Sequence, residues 1–177
     1  MSNDPFDLLG IKPEFDLDMK AVEARHRELS KALHPDRYAQ ASSAERRMAL
    51  SRAIEVNEAF RTVRDPIKRA EALFKKLGVP AGEMAEPKPS PDLLMEMMEA
   101  REELSEAARA KNIGKVHQLA TSMQSREREV LLSLGKGFQA AGENGEAARK
   151  LIQYLGELRY LRRFLDEVTA IEESAAG

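Results

Sequence analysis

The sequence predicts an all-α protein: an N-terminal helical hairpin with short flanking helices, then a C-terminal three-helix bundle. Three observations carry this. Ala, Leu, Glu, Lys and Arg are plentiful while Val, Ile and Thr are scarce, a mixture that favours helix over strand. Apolar side chains recur at helical spacing, and Val22, His26, Leu29 and Leu33 fall on one such stripe. Prolines stand between these stretches, where they stop one helix or open the next. With 42% hydrophobic residues a packed core can form.

The first segment, Asp4 to Gly10, predicts a helix of one to two turns. Asp4 is its N-cap, Pro5 suits the first helical position, and Gly10 suits the stop, with Phe6 and Leu9 facing inward. Asp16 or Asp18 caps a second helix that runs to about Leu33. Pro35 ends it, because its ring and missing N–H disfavour helix through His34. His34, Pro35 and Asp36 thus stand just outside a helix end, ahead of a polar loop from Arg37 to Ser43. Either Asp36 is a carboxylate presented by a turn, or the tripeptide is a plain helix stop.

A third helix spans about Ala44 to Val63, with Met48, Ala49, Ile54, Ala59, Phe60 and Val63 as apolar positions. It packs antiparallel on the second, and Phe6, Leu9, Phe60 and Val63 close a small core. Asp65 and Pro66 end it, and a fourth helix runs from Pro66 to Leu77, closed by Gly78. Arg25, Arg27 and Lys31 are outward positions of the second helix, where a merely solvated face is the alternative to a binding face.

The stretch 79–91 reads as a linker, since Pro80, Gly82, Pro87, Pro89 and Pro91 together exclude regular helix. The expected organisation is therefore a first domain over 1–78, the linker 79–91 and a bundle over 92–174. Helices are expected near 92–111, 113–141 and 145–172. Lys111 and Asn112 form one turn, and the stretch from Gly142 to Gly145 the other. Short connections make neighbours antiparallel.

The helix at 92–111 carries two apolar stripes where one would bury it. Leu93, Met97, Ala100, Leu104 and Ala108 cluster within a sector of about 80° at roughly 100° per residue. Leu94, Met95 and Met98 point away from that stripe, beside Glu99, Glu102 and Glu106. This is either an adaptable protein-binding patch, since Met repacks against irregular partners, or the edge of a wider core. On the last helix Leu151, Leu155, Leu158 and Leu165 are assigned to the core and Tyr154 and Leu161 to its flank. Tyr160 is placed roughly opposite with Phe164 one turn on, and a plain surface tyrosine is the alternative there.

Charge and composition exclude several classes. Residues 1–78 carry 15 Lys and Arg against 13 Asp and Glu, and the remainder 13 against 17. A weakly basic first half joined to an acidic second suggests two protein partners, and no basic stripe with interleaved aromatics suggests nucleic acid. Without cysteine there is no disulfide, thiolate metal site or Cys nucleophile. His26, His34 and His117 lack metal-ligand spacing, and there is no phosphate loop or nucleophile elbow. No enzyme activity, metal or cofactor is expected. The first residues, Met1 to Phe6, have neither the basic flank nor the apolar run of a leader, and no stretch reaches spanning length. A cytoplasmic protein without a membrane partner is expected.

The residues also carry a family resemblance. The first half resembles a J domain: Phe6, Leu9 and Gly10, the basic helix, His34-Pro35-Asp36, then Asn57, Glu58, Ala59 and Phe60, Val63, Asp65-Pro66 and Arg69-Ala70. The second half resembles the C-terminal bundle of HscB, the J-type co-chaperone of iron–sulfur cluster assembly. It does so through Leu94-Met95-Glu96, Arg101-Glu102-Glu103-Leu104 and Leu158-Arg159-Tyr160-Leu161. This chain has His26 where the family often has an aromatic residue, Arg37 for a frequent Lys, and Met98 and Ala100 where Leu is common.

The resemblance implies a division of labour. The J domain would dock on a DnaK-type ATPase chaperone, HscA in dedicated systems, and stimulate ATP hydrolysis. His34, Pro35 and Asp36 would be the trigger, and Arg25, Arg27 and Lys31 the docking face. The bundle would bind a cluster scaffold protein of the IscU type through Leu94, Met95, Met98, Glu99, Glu102, Glu106 and Tyr160. The competing readings are a general J-domain co-chaperone with another client, and a non-catalytic helical scaffold or dimerisation module.

Overall fold

The computed structural model describes residues 4–82 and 88–176, and all regular structure among them is helical. Residues 83–87, including Pro87 of the expected linker, and the first three residues of the leader reading lie outside the described residues. The chain divides into two compact units, one ending at Val79 and the other beginning at Pro80.

The first unit is built round α3 (Ser43–Arg64), on which α1 (Pro5–Leu9), α2 (Met19–Ala32) and α4 (Pro66–Lys76) all pack. Local chemistry sets each boundary. Asp4 accepts a hydrogen bond from the Phe6 N–H at 2.9 Å, and Gly10 closes α1 with a left-handed φ of 65°. Asp18, of the two candidates, caps α2. Ser42 and Glu45 form a reciprocal capping box at the start of α3. Asp65 ends α3 and caps α4, with Pro66 at the first helical position. Past α4, Gly78 turns left-handed and the Val79 N–H reaches back to Phe74 O at 2.8 Å. Val79, expected as the first linker residue, is therefore buried with this unit.

The core of this unit contains Phe6, Leu9, Val22, Val56, Val63 and Phe74, all buried. Phe60 is only half-buried: its ring stacks on His26 at 4.1 Å, and His26 also hydrogen-bonds Asn57 at 2.8 Å. Met48 and Ile54, assigned to the apolar side of α3, are exposed, as is Leu50. The buried side of α3 keeps the expected Ala49, Ala59 and Val63 and adds Val56. Arg69 ties α4 to its surroundings, donating to Val63 O at 2.9 Å and lying over the Phe15 ring. Burial pulls its pKa down, against the attraction of Asp16 and Asp65.

In the second unit α5 (Pro91–Arg109), α6 (Ile113–Ala141) and α8 (Ile152–Ala176) pack pairwise into a three-helix bundle. Ser90 and Asn112 cap α5 and α6. Lys111 takes a positive φ of 52° to make the tight turn between them. The expected single helix from 145 is divided into α7 (Gly145–Arg149) and α8. At the break, Leu151 N–H bonds Ala148 O at 2.8 Å, a three-residue closure rather than the α-helical four. The Leu151 side chain lies against Gly137 of α6, where a Cβ would come within 2.3 Å of Leu151 Cδ2. On α8, Leu161 and Phe164 are fully buried with Leu155 and Leu158 and Leu165 is half-buried, as is Leu151 just ahead of the helix. On α5, Ala107 rather than Ala108 completes the buried stripe. Arg126 of α6 pins all three helices, pairing with Glu96 of α5 and Glu157 of α8. Partial burial pulls the Arg126 pKa down, and the hydrogen bonds to Glu96 and Glu157 outweigh that and hold it above its ordinary value.

Candidate functional site

Each unit carries a surface, predicted from its sequence, that its own packing does not use. In the first, the polar loop after α2 contains a short 3₁₀ turn, Pro35–Tyr38, capped by His34. His34 Nδ1 accepts a hydrogen bond from the Asp36 N–H at 3.3 Å and lies 3.4 Å from Asp36 Oδ2. The neutral ring, protonated on Nε2, accepts that backbone bond; the charged ring would instead donate to the carboxylate. Either form ties His34 to Asp36. The Asp36 side chain is 90% exposed, so the carboxylate is presented to solvent.

The three basic residues assigned to α2 do not share a face. Arg27 and Lys31 are exposed and lie roughly opposite the Val22 side at about 100° per residue. Arg25 lies about 200° from Arg27 on the same wheel. Its Nε donates to Leu9 O at 3.1 Å and its guanidinium pairs with Glu28 at 3.2 Å. Arg25 thus serves the end of α1. Lys20, exposed seven residues before Arg27, completes the basic stripe. The spacing of Lys20, Arg27 and Lys31 was visible in the sequence and was missed.

In the second unit, Leu94, Met95 and Met98 are 38%, 60% and 71% exposed, although Leu93, Met97, Ala100 and Leu104 beside them are buried. Glu99, Glu102 and Glu106 are exposed on the same outer side. Arg101, on the flank of Leu94 and Met98, pairs with Glu167 of α8 at 2.7 Å. That flank of α5 therefore turns toward α8. Tyr160 lies seven residues, two helical turns, before Glu167 on α8, which brings it to the same seam. Tyr160 is half-buried, with the Arg163 guanidinium 5.9 Å from its ring centre. Glu96, quoted for the resemblance beside Leu94 and Met95, faces α6 and holds the bundle through Arg126. Among the described residues no group of acidic or histidine side chains could hold a metal, and no helix is long and apolar enough to cross a membrane.

Residues 89–169 match the family described as the HSCB C-terminal oligomerisation domain. The chain is 36% identical over 149 residues to a protein named co-chaperone protein HscB homolog of Burkholderia thailandensis, covering 83% of this chain and 85% of that one. It is 34% identical over 165 residues to the homolog of Burkholderia multivorans, covering 93% and 91%. The chain belongs to the HscB co-chaperone family. The structure of chaperone HscB from Vibrio cholerae superposes with a TM-score of 0.81 at 30% identity, covering 97% of this chain and 99% of that one. Human co-chaperone HscB, at 21% identity, shares the fold with a TM-score of 0.84, covering 96% and 82%. The relatives of this HscB-family chain are co-chaperones rather than enzymes by name.

Proposed function

We propose that this chain stimulates ATP hydrolysis by a DnaK-type chaperone of the HscA kind and delivers an IscU-type iron–sulfur scaffold protein to it. The observation that carries the reading is the pairing, in one chain, of an exposed His34-Pro35-Asp36 turn with an exposed apolar face on a helix that already has a complete core stripe. Residues 1–79 act as the J domain, the helices from Pro91 to 174 as the scaffold-binding bundle, and the stretch between them as the linker.

The chemistry of ATP hydrolysis belongs to the partner. The stripe of Lys20, Arg27 and Lys31 steers the first unit onto an acidic surface, and the turn delivers Asp36 to the contact. Arg25 contributes by fixing α2 against the end of α1. In the bundle, Leu94, Met95 and Met98 supply the apolar anchor, Tyr160 extends it, and Glu99, Glu102 and Glu106 form an acidic rim for a basic partner. The deciding experiment measures steady-state ATPase of the chaperone with this chain, with the scaffold protein, and with both. Stimulation by the chain alone, raised further by the scaffold, is expected. No stimulation at any concentration would reject the J-domain role, and stimulation indifferent to a scaffold that also fails to bind would reassign the client.

A further inference from the structure

From His34 to Gln40 every residue is exposed except Tyr38, which is half-buried. Tyr38 ends the 3₁₀ turn, and its carbonyl accepts from the Ala41 N–H at 3.0 Å. Its side chain lines a groove with Leu8, Leu33, Met48 and Ala49, on the side where the turn packs against α3. Two backbone bonds of the segment have ordinary length, Arg37 N–H to His34 O and Ala41 N–H to Tyr38 O, both 3.0 Å, but the remaining polar ties are long. His34 Nδ1 to Asp36 N is 3.3 Å, Asp36 O to Ala39 N 3.4 Å, and Arg46 Nη1 to Ala39 O 3.5 Å. Each is weak at such a length. The Tyr38 ring is thus the one apolar anchor of the segment. In a 3₁₀ helix of about three residues per turn, positions i and i+3 eclipse, so Pro35 and Tyr38 share a side and Asp36 is rotated about 120° from it. Seating Tyr38 in the groove fixes the rotation of the turn and turns Asp36 outward.

We infer that Tyr38 is the positioning residue of the turn: its ring, seated on α3, sets the direction in which Asp36 is presented to the ATPase chaperone. This rests on the trigger role proposed above. The phenol hydroxyl makes no hydrogen bond among the described residues, so the ring and not the hydroxyl does the positioning.

The test titrates full-length wild type, Tyr38→Ala, Tyr38→Phe and Asp36→Asn against a DnaK-type ATPase chaperone, reading maximal stimulation and half-saturating concentration separately. Tyr38→Ala is expected to lower the maximum about tenfold while leaving half-saturation within about twofold, because a misaimed trigger loses its effect on the partner's turnover while the basic stripe still docks. Tyr38→Phe retains wild-type stimulation. Hydrogen exchange well below the melting temperature is expected to speed up at Asp36 to Ala41 in Tyr38→Ala and not in the middle of α3. Several results overturn the inference: full stimulation by Tyr38→Ala, a change in half-saturation alone, loss in Tyr38→Phe, or exchange that speeds up uniformly. If Asp36→Asn stimulates fully, the trigger role itself falls and the inference with it. If Asp36→Asn is inactive while Tyr38→Ala is normal, only the inference falls.

Discussion

The turn at His34 to Asp36 and the outer face of α5 are both spare surfaces, but they are spare in different ways. The turn is polar, almost wholly solvated, and shaped by a proline, one cap and one anchoring ring. The α5 face is apolar and rides on a helix locked by Leu93, Met97, Ala100 and Leu104. A polar turn can act only through the placement of a few atoms, so loss of one group should remove its effect at little cost to folding. An apolar face acts through area, so its contribution divides among side chains and fails gradually.

The sharpest break in that comparison comes from the turn. Asp36→Asn or His34→Gln is expected to abolish ATPase stimulation while moving the melting temperature by no more than about 2 °C, since exposed substitutions usually stay within about 0.5 kcal/mol. A large fall in melting temperature with stimulation intact would make the tripeptide a structural stop.

The α5 face should yield a smaller loss, spread over three residues. Leu94, Met95 and Met98 changed together to Ala should weaken scaffold binding about a hundredfold, as loss of apolar anchors at an interface centre does. The triple variant should nonetheless be more stable than Leu104→Ala alone, since truncating one buried Leu costs about 2–5 kcal/mol. If the triple variant melts lower than Leu104→Ala and still binds scaffold when cold, these residues belong to the core.

The fold was largely legible because helix boundaries are local chemistry. Asp4, Pro66 and Gly78 announce their roles through the backbone groups they satisfy or withhold. What was hidden depended on distant neighbours. Nothing in Lys150 or Leu151 forbids helix; the chain breaks there beside the gap left by Gly137, a residue of another element. Leu161 and Phe164 were placed at the edge or outside because a single stripe was drawn. In fact α8 packs on both α5 and α6, so its buried sector is wider. The exposed Met48 and Ile54 show the converse, since helical spacing cannot say which of two apolar sides of α3 meets the rest of the unit. At the sites, the unneeded apolar face of α5 could be read from its wheel. The role of Arg25 at Leu9 O could not, because it rests on a contact sixteen residues apart.

A milder effect is expected from the basic stripe beside the turn. Arg27→Glu with Lys31→Glu should raise the half-saturating concentration about tenfold at low salt, with the maximum unchanged. The difference should shrink as salt rises, because exposed charges are screened over about 8 Å at physiological ionic strength. Equal effects in low and high salt, or a lowered maximum, would place the docking face elsewhere.

The smallest expected effect separates the two regions by pH. The helix following the turn, α3, starts with the Ser42 and Glu45 box, whereas α5 starts with Ser90 and Pro91 and no carboxylate partner for its cap. Hydrogen bonds from the Ser42 side chain and from its backbone N–H, which lies 2.8 Å from Glu45 Oε2, hold the Glu45 pKa below its ordinary 4.5. A carboxyl whose folded pKa is depressed contributes stability that is present above 4.5 and lost as pH falls through the lower folded value. The amides of the first turn of α3 should therefore lose hydrogen-exchange protection on acidification, relative to Glu45→Gln, while those of the first turn of α5 show no such difference. Because Ser42 directly follows the segment that Tyr38 anchors, the loosening should spread toward Asp36. A Glu45→Gln variant that differs from wild type equally above 4.5 and well below it would show that the box acts through shape and not through the charge of its carboxylate.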